Sequence, residues 1–377
     1  MTGSVKTGLF TVMVVAMFAL STAAIVASSD VSADSGFYIT DGKGNTIHFD
    51  GPVDHIITIG VGVTATVLQL GYGEKIVVAD KYSSDNKAKV FDQLRQRISE
   101  GKAVADGTIY SSGVDALKSN VIDAADTEKG GVFDKYRDVM ILTGSDTYLI
   151  NNGLLKYFQD NGFRVLVWND IVEYADVIVF AEKMSLIVSG SISPEINKMR
   201  NVVKVIDDKL KEEKVVDKTE AFYLTYSGNV FKVGNVGSIA TSMIVAAGGN
   251  AITIDTSRSE STYERNLTEI IATYGTDVVI FADSANIVQK PDRLEELEKQ
   301  VGRDVKIVEL DPLWNNYSIE SMQGVWTMAC AMYPDYFQGD VPEVDTSSGN
   351  DALVMFIAGV VLSIVTAGVV IYLMRKG

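Results

Sequence analysis

Gly60, Gly62 and Ala65, in IITIGVGVTATVLQLGYGEKIVVAD, have the spacing G-x-G-x-x-A, and Asp80 closes the next apolar run about twenty residues on. Between a strand and a helix, such a turn offers backbone N–H groups to a pyrophosphate, and the acid takes a ribose hydroxyl. The chemistry it could support is that of an extracellular α/β enzyme holding a nucleotide-like ligand at Gly60–Ala65. The rest of the chain gives such an enzyme little help. Its two histidines, His48 and His55, read as structural or solvated positions. No H-x-x-x-H, C-x-x-C or G-x-S-x-G pattern is visible, so neither a metal centre nor an acyl-transfer nucleophile is legible, and no cofactor is expected. Cys330, the single cysteine, lies in the apolar helical pattern WTMACAMY and reads as a buried, inert thiol.

A second set of residues is suited to holding a large ligand without transforming it. Tyr82, Tyr110, Tyr148, Trp168, Tyr226, Phe231, Trp314 and Tyr317 fall at or just after the ends of expected strands. In open α/β sheets those carboxyl ends are where ligands bind. A cleft for a bulky ligand needs aromatic faces and a few polar groups. Tyr82 in KYSSDN, Tyr226 in TYSGN and Trp314 in DPLWNNYS sit in turns with polar neighbours; with Tyr110 and Tyr148 they form the expected binding set. Arg258 in DTSRSEST adds a guanidinium for an anionic group on the ligand.

The elements that must position these residues follow from periodicity. FYIT and TIHF flank the Gly-rich DGKGN and predict a β-hairpin. Strands are expected over 55–60, 75–80, 139–143 and 164–168, with helices over 64–70 and 149–161 between them. From 170 to 213 no strand signal appears; apolar residues recur at helical spacing, and Pro194 after Ser193 marks the start of a second helix. Strands at 221–225, 277–282 and 305–310, with helices at 238–247 and 319–332, then restart the pattern. Strands alternating with helices imply parallel sheets, hence two α/β lobes joined by a long helical segment.

The ends and the charge set the compartment. Lys6 precedes the uncharged run GLFTVMVVAMFALSTAAIVA, which reads as a secretory signal or an uncleaved anchor. Residues 352–374 carry no charge, are long enough to span a bilayer, and are followed by Arg375-Lys376. The expected organisation is a signal or anchor over 1–29, an N-terminal lobe over 37–169 and a bridging helical segment over 170–213. A C-terminal lobe over 219–337, an acidic stalk over 338–351 and a transmembrane helix over 352–374 complete it, with the lobes outside the cell. A net charge of −16 argues against nucleic-acid binding, which needs a basic footprint. With one cysteine there is no intramolecular disulfide, so the apolar core must hold the fold.

Four stretches carry a family resemblance. They are ITDGKGNTIHFDGPVDHII, GVGVTATVLQLGYGEKIVVADKYS, GSIATSMIVAAGGNAI and LTEIIATYGTDVVIF. In their order and spacing the chain resembles the substrate-binding proteins of ABC importers for iron–siderophores, haem and cobalamin, over residues 37–337. The resemblance implies two Rossmann-like lobes joined by a long rigid helix, a metal-chelate ligand, and partners in an ABC permease and its ATPase. It also implies permease docking through an acid on each lobe: Glu269 by residue match and, with no clean first-lobe match, Asp115. A haem cargo would be ligated by Tyr sooner than by His, given the positions of the histidines. Departures are His55 where an Arg is common, no acid in Thr64-Ala65-Thr66, Thr276 in place of a Pro, and a longer 83–135 region. Asn266-Leu267-Thr268 and Asn316-Tyr317-Ser318 are glycosylation sequons.

Overall fold

A computed structural model describes residues 36–106, 115, 118–119, 139–143, 153–253 and 260–343. The chain divides into two compact units, residues 1–37 with 344–377, and residues 38–343. The first lies almost wholly outside the described residues, as do the expected spans 1–29 and 352–374. Among the described residues no helix is long and apolar enough to cross a membrane.

The hairpin forms as β1 (Phe37–Thr40) and β2 (Thr46–Phe49). The first lobe then adds β3 (Ile56–Ile59), α1 (Val61–Gln69), β4 (Ile76–Asp80) and the short α2 (Lys81–Ser84). After α3 (Asp92–Ser99) come β5 (Val104–Asp106), β6 (Val139–Thr143), α4 (Leu154–Asp160) and β7 (Arg164–Trp168). The five strands form one sheet in the order β5-β4-β3-β6-β7, every pairing parallel. Every residue of β3 and β4 is buried, as expected of a sheet covered by helices on both faces. The sheet edge at β7 is closed by the hairpin turn. Gly42 N donates to the Val167 carbonyl (2.8 Å), and Val167 N donates to Asp41 Oδ2 (3.1 Å). A Cβ at 42 would lie 2.2 Å from Asp170 Oδ1, so a larger residue there has to displace the Asp170 side chain.

Two helices follow, α5 (Tyr174–Ser189) and α6 (Pro194–Glu212). The 170–213 segment is helical throughout its two elements, and the second helix starts at Pro194 as the sequence predicts. Gly190 ends α5 in a left-handed conformation with φ 73°, and Ser193 caps α6 by accepting from Glu195 N, with Pro194 at the first helical position. Ser185 stiffens the junction: its Oγ donates to the Ser191 carbonyl (2.8 Å) and accepts from Ser193 N (2.9 Å). A second brace is the ion pair of Arg200 on α6 with Glu182 on α5. α5 is apolar on most sides and packs against α1, while α6 buries only Ile196, Met199, Val202 and Ile206.

The second lobe comprises β8 (Glu220–Ser227), β9 (Val230–Gly234), α7 (Ile239–Ala246), β10 (Asn250–Ala251), β11 (Thr262–Glu264) and α8 (Leu267–Tyr274). It continues with β12 (Val279–Asp283), a π-helical turn (Ser284–Val288), α9 (Pro291–Val301), β13 (Lys306–Leu310) and α10 (Ser321–Met332). Its sheet runs β11-β9-β8-β12-β13, with β10 pairing the start of β8. β8 is shared: Glu220 and Ala221 pair in parallel with β10, and Leu224–Ser227 pair antiparallel with β9. α5 also packs against α7, so it touches the leading helix of both lobes.

Glu182 is 4% exposed at its side chain and Arg200 40%. Removing Arg200 leaves that carboxylate buried and uncompensated. Arg200→Met is expected to cost about 2 kcal/mol in urea denaturation, below the full cost of orphaning a buried charge because water reaches Arg200. The double variant with Glu182→Gln is expected to recover most of that loss.

Candidate functional site

The glycine turn that opened the sequence is filled by its own protein. Gly60 caps α1 at φ 113°, a conformation only glycine adopts freely. Its N–H donates to Asp80 Oδ2 (2.8 Å). Asp80, 2% exposed, also accepts from Ser83 Oγ (2.7 Å) and Ser83 N (3.2 Å), capping α2. Ser83 Oγ in turn reaches Thr64 Oγ1 (3.0 Å), which donates to Thr58 Oγ1 (2.9 Å). The amide that would cradle a phosphate is thus taken by the acid that would clamp a ribose. The fingerprint describes an internal lock between β3, α1 and β4.

The second lobe uses the same device at a strand in a different place. Asp283, ending β12, accepts from Asn286 N (3.0 Å), Asn286 Nδ2 (2.8 Å) and Thr225 Oγ1 (3.0 Å). The buried Tyr223 hydroxyl stands among Thr225, Asn315 and Asp283, and burial, then the Asp283 charge, pushes its pKa above the ordinary tyrosine range.

The two strand-end clusters meet through the loop after β13. Gly62 lies where a Cβ would come within 2.5 Å of Asn316 Oδ1 and 3.0 Å of Tyr317 Cβ. Thr66 Oγ1 donates to the Tyr317 carbonyl (2.7 Å), and Gln69 Oε1 accepts from Ile319 N (2.8 Å). Residues 62, 66 and 69 follow helical spacing, so one stripe of α1 lies along the loop. The loop is self-braced: Leu313 N donates to Asp311 Oδ1 (2.8 Å), and Ser318 Oγ donates to the Leu313 carbonyl (2.9 Å). The candidate site is the region around this loop, which ties the strand-end cluster of the first sheet to that of the second. Its inner side chains hydrogen-bond mostly to one another and to the loop backbone. Among the described residues no group of three or more His, Cys, Asp or Glu is placed to hold a metal ion.

The expected binding residues fare unequally. Tyr82 is 52% exposed on α2, directly after the Asp80 lock. Trp314 is half-buried in the loop, with its Cβ against Gly324 of α10. Tyr226 is drawn into packing: Phe231 meets it edge-on with ring centroids 5.1 Å apart, and the Arg293 guanidinium lies 4.2 Å from its ring centroid. Tyr110, Tyr148 and Arg258 lie outside the described residues. Glu269 is exposed in the first turn of α8, where its Oε1 accepts from the capping Asn266 (3.1 Å). Asp115 is exposed and pairs with Lys118 at 3.7 Å. Sequence reasoning missed Tyr223, Asp283, Asn315, Asn316, Thr66 and Gln69. One signal for Asp283 was available: VVAD and IFAD both end an apolar strand in Ala-Asp.

Comparison with solved structures finds the same fold. Helicobacter pylori CeuE, in a structure with a Ni-His complex, matches with a TM-score of 0.54 at 14% identity, over 80% of this chain and 89% of that chain. The heme-binding protein HmuT matches with a TM-score of 0.52 at 13% identity, over 81% and 92%. The periplasmic heme-binding protein RhuT from Roseiflexus sp. RS-1, in apo form, matches with a TM-score of 0.52 at 15% identity, over 75% and 98%. The chain has the fold of these binding proteins, and the resemblance drawn from its sequence holds at that level. No protein-family model and no curated protein matches it.

Gly62→Ala tests the close approach of α1 to the loop. Its methyl group must displace Asn316 and Tyr317, at an expected cost of about 1–3 kcal/mol for an overpacked contact. Thermal unfolding should show the loss. Gly71→Ala provides the contrast, because a Cβ there meets nothing within 4 Å and its penalty comes from φ 88° alone.

Proposed function

We propose that the chain is an extracellular, membrane-tethered solute-binding protein that captures a metal chelate and delivers it to an ABC import permease. The observation that carries this reading is the meeting of the two sheets' carboxyl ends through α1 and the 311–320 loop. The fold shared with binding proteins whose structures hold nickel or are described as heme-binding supports it. The chelate class is ferric siderophore, haem or cobalamin. Tethering through residues 352–374 fits the chain's apolar end and its basic flank. In this reading Tyr82 and Trp314 supply aromatic faces, with Tyr110, Tyr148, Tyr226 and Arg258 completing the set, and Glu269 and Asp115 face the permease. The saturated Gly60 amide speaks against the nucleotide enzyme.

Residues 37–343 should be screened against a ferric siderophore, haemin and cobalamin by thermal shift. One of them is expected to raise the melting temperature by about 5 °C at a hundredfold excess over Kd. No shift with any of the three overturns the reading. Tyr82→Ala and Trp314→Ala should each weaken the productive ligand about tenfold by calorimetry, near 1.4 kcal/mol apiece.

Docking has its own test. Glu269→Gln keeps an oxygen to accept from Asn266 and removes the charge. Uptake in cells carrying the permease is expected to fall several-fold while the melting temperature stays put. Unchanged uptake would remove Glu269 from the docking surface.

A further inference from the structure

The two sequons, Asn266-Leu267-Thr268 and Asn316-Tyr317-Ser318, share a pattern and have opposite surroundings. Asn266 is exposed and caps α8, its Oδ1 accepting from Thr268 N (3.1 Å) and Glu269 N (3.4 Å). Its Nδ2 carries two N–H groups. One donates to Glu269 Oε1 (3.1 Å), and the other has no partner among the described residues. Thr268 is exposed as well, and its hydroxyl makes only a 3.2 Å bond to the Gln300 carbonyl. The cap uses the amide oxygen and leaves one hydrogen on the nitrogen replaceable. Asn316, by contrast, is built into the seam between α1 and the 311–320 loop. Its Oδ1 accepts from Tyr317 N (2.8 Å) and lies 2.5 Å from where a Cβ on Gly62 would stand. Ser318 is fully buried, with its hydroxyl donating to the Leu313 carbonyl (2.9 Å).

We propose that Asn266 is the acceptor of an N-linked glycan and that Asn316 is left bare. The proposal rests on the reading that the lobes lie outside the cell. Transfer forms a bond from Asn266 Nδ2 to the anomeric carbon of a lipid-linked oligosaccharide. That carbon's bond to the lipid diphosphate breaks, the diphosphate leaves with the bonding pair, and the amide gives up one proton. The capping oxygen is untouched, so α8 keeps its start, and the sugar stands beside Glu269. A glycan is bulky and hydrated and belongs on a surface. On Asn316 it would hold the 311–320 loop off α1 and break the bonds that join Thr66 to Tyr317 and Gln69 to Ile319. On Asn266 it has a structural use. The residue lies two positions past β11, the edge strand of the second sheet. An open sheet edge invites pairing with another chain, and hydrated sugar beside it obstructs that pairing.

The test uses the full chain taken from the membranes of the cells that make it, with the peptides spanning Asn266 and Asn316 weighed by mass spectrometry. The Asn266 peptide is expected to carry a sugar mass and the Asn316 peptide none. Thr268→Ala, which leaves the capping side chain in place, should remove the added mass entirely, and Thr268→Ser should keep it. A bare Asn266 overturns the proposal. So does sugar on Asn316, or a Thr268→Ala chain that stays modified at Asn266. Labelling intact cells with a membrane-impermeant amine reagent separates this failure from that of the underlying reading. A chain labelled from outside and bare at Asn266 sinks the glycan alone, whereas an unlabelled chain sinks the extracellular placement with it.

Discussion

The hydrogen bond from Gly60 N to Asp80 Oδ2 is the constraint on which the first lobe depends. A buried carboxylate is tolerable only when donors surround it, and here the donors come from the start of α1 and from the cap of α2. One side chain thereby fixes the exit of β3, the exit of β4 and the direction in which α1 leaves the sheet. Asp283 does the same for β12 with Asn286 and Thr225. Parallel strands end with carbonyls and amides pointing at the cleft, and a short acid at the last strand position closes that end without a disulfide or a metal.

With α1 aimed by Asp80, its stripe of Gly62, Thr66 and Gln69 can meet the second lobe. Small and polar residues at helical spacing let the helix backbone approach the loop closely enough for Tyr317 and Ile319 main-chain groups to bond to it. The loop answers with its own turn bonds, so neither side of the seam is slack. α5, packed on α1 and α7 together, holds the other side of the joint. The break at Gly190 then matters less than its bracing by Ser185 and by the Glu182–Arg200 pair.

Periodicity made most of the fold legible, because β3, β4 and β12 are short apolar runs bounded by turn residues and α5 and α6 keep a clear helical stripe. The antiparallel part of the second lobe escaped it. β9 carries Lys232 among its apolar residues, and its turn signal is Gly228-Asn229, both at φ 64°. That is a hairpin geometry, set by two residues inside TYSGN. Tyr226, just before that turn, lies between Phe231 and Arg293. Inter-lobe residues were illegible for a different reason. Thr66 and Gln69 meet partners some 250 positions away, and nothing local in α1 distinguishes a helix face that will meet another lobe from one that meets its own sheet.

The glycine fingerprint shows how one local pattern serves two opposite ends. In a nucleotide site the first glycine leaves an amide open and the distant acid waits for a sugar. Here the acid folds back onto the amide, and the second glycine makes room for Asn316 and Tyr317 in place of a phosphate. Both outcomes need the same residues, because both need a helix to start within bonding reach of a strand-end carboxylate. What separates them is the loop that arrives from the other lobe. Once that loop occupies the helix, the first amide and its acid are spent within the protein, and an exposed side chain such as Tyr82 stands outside the lock.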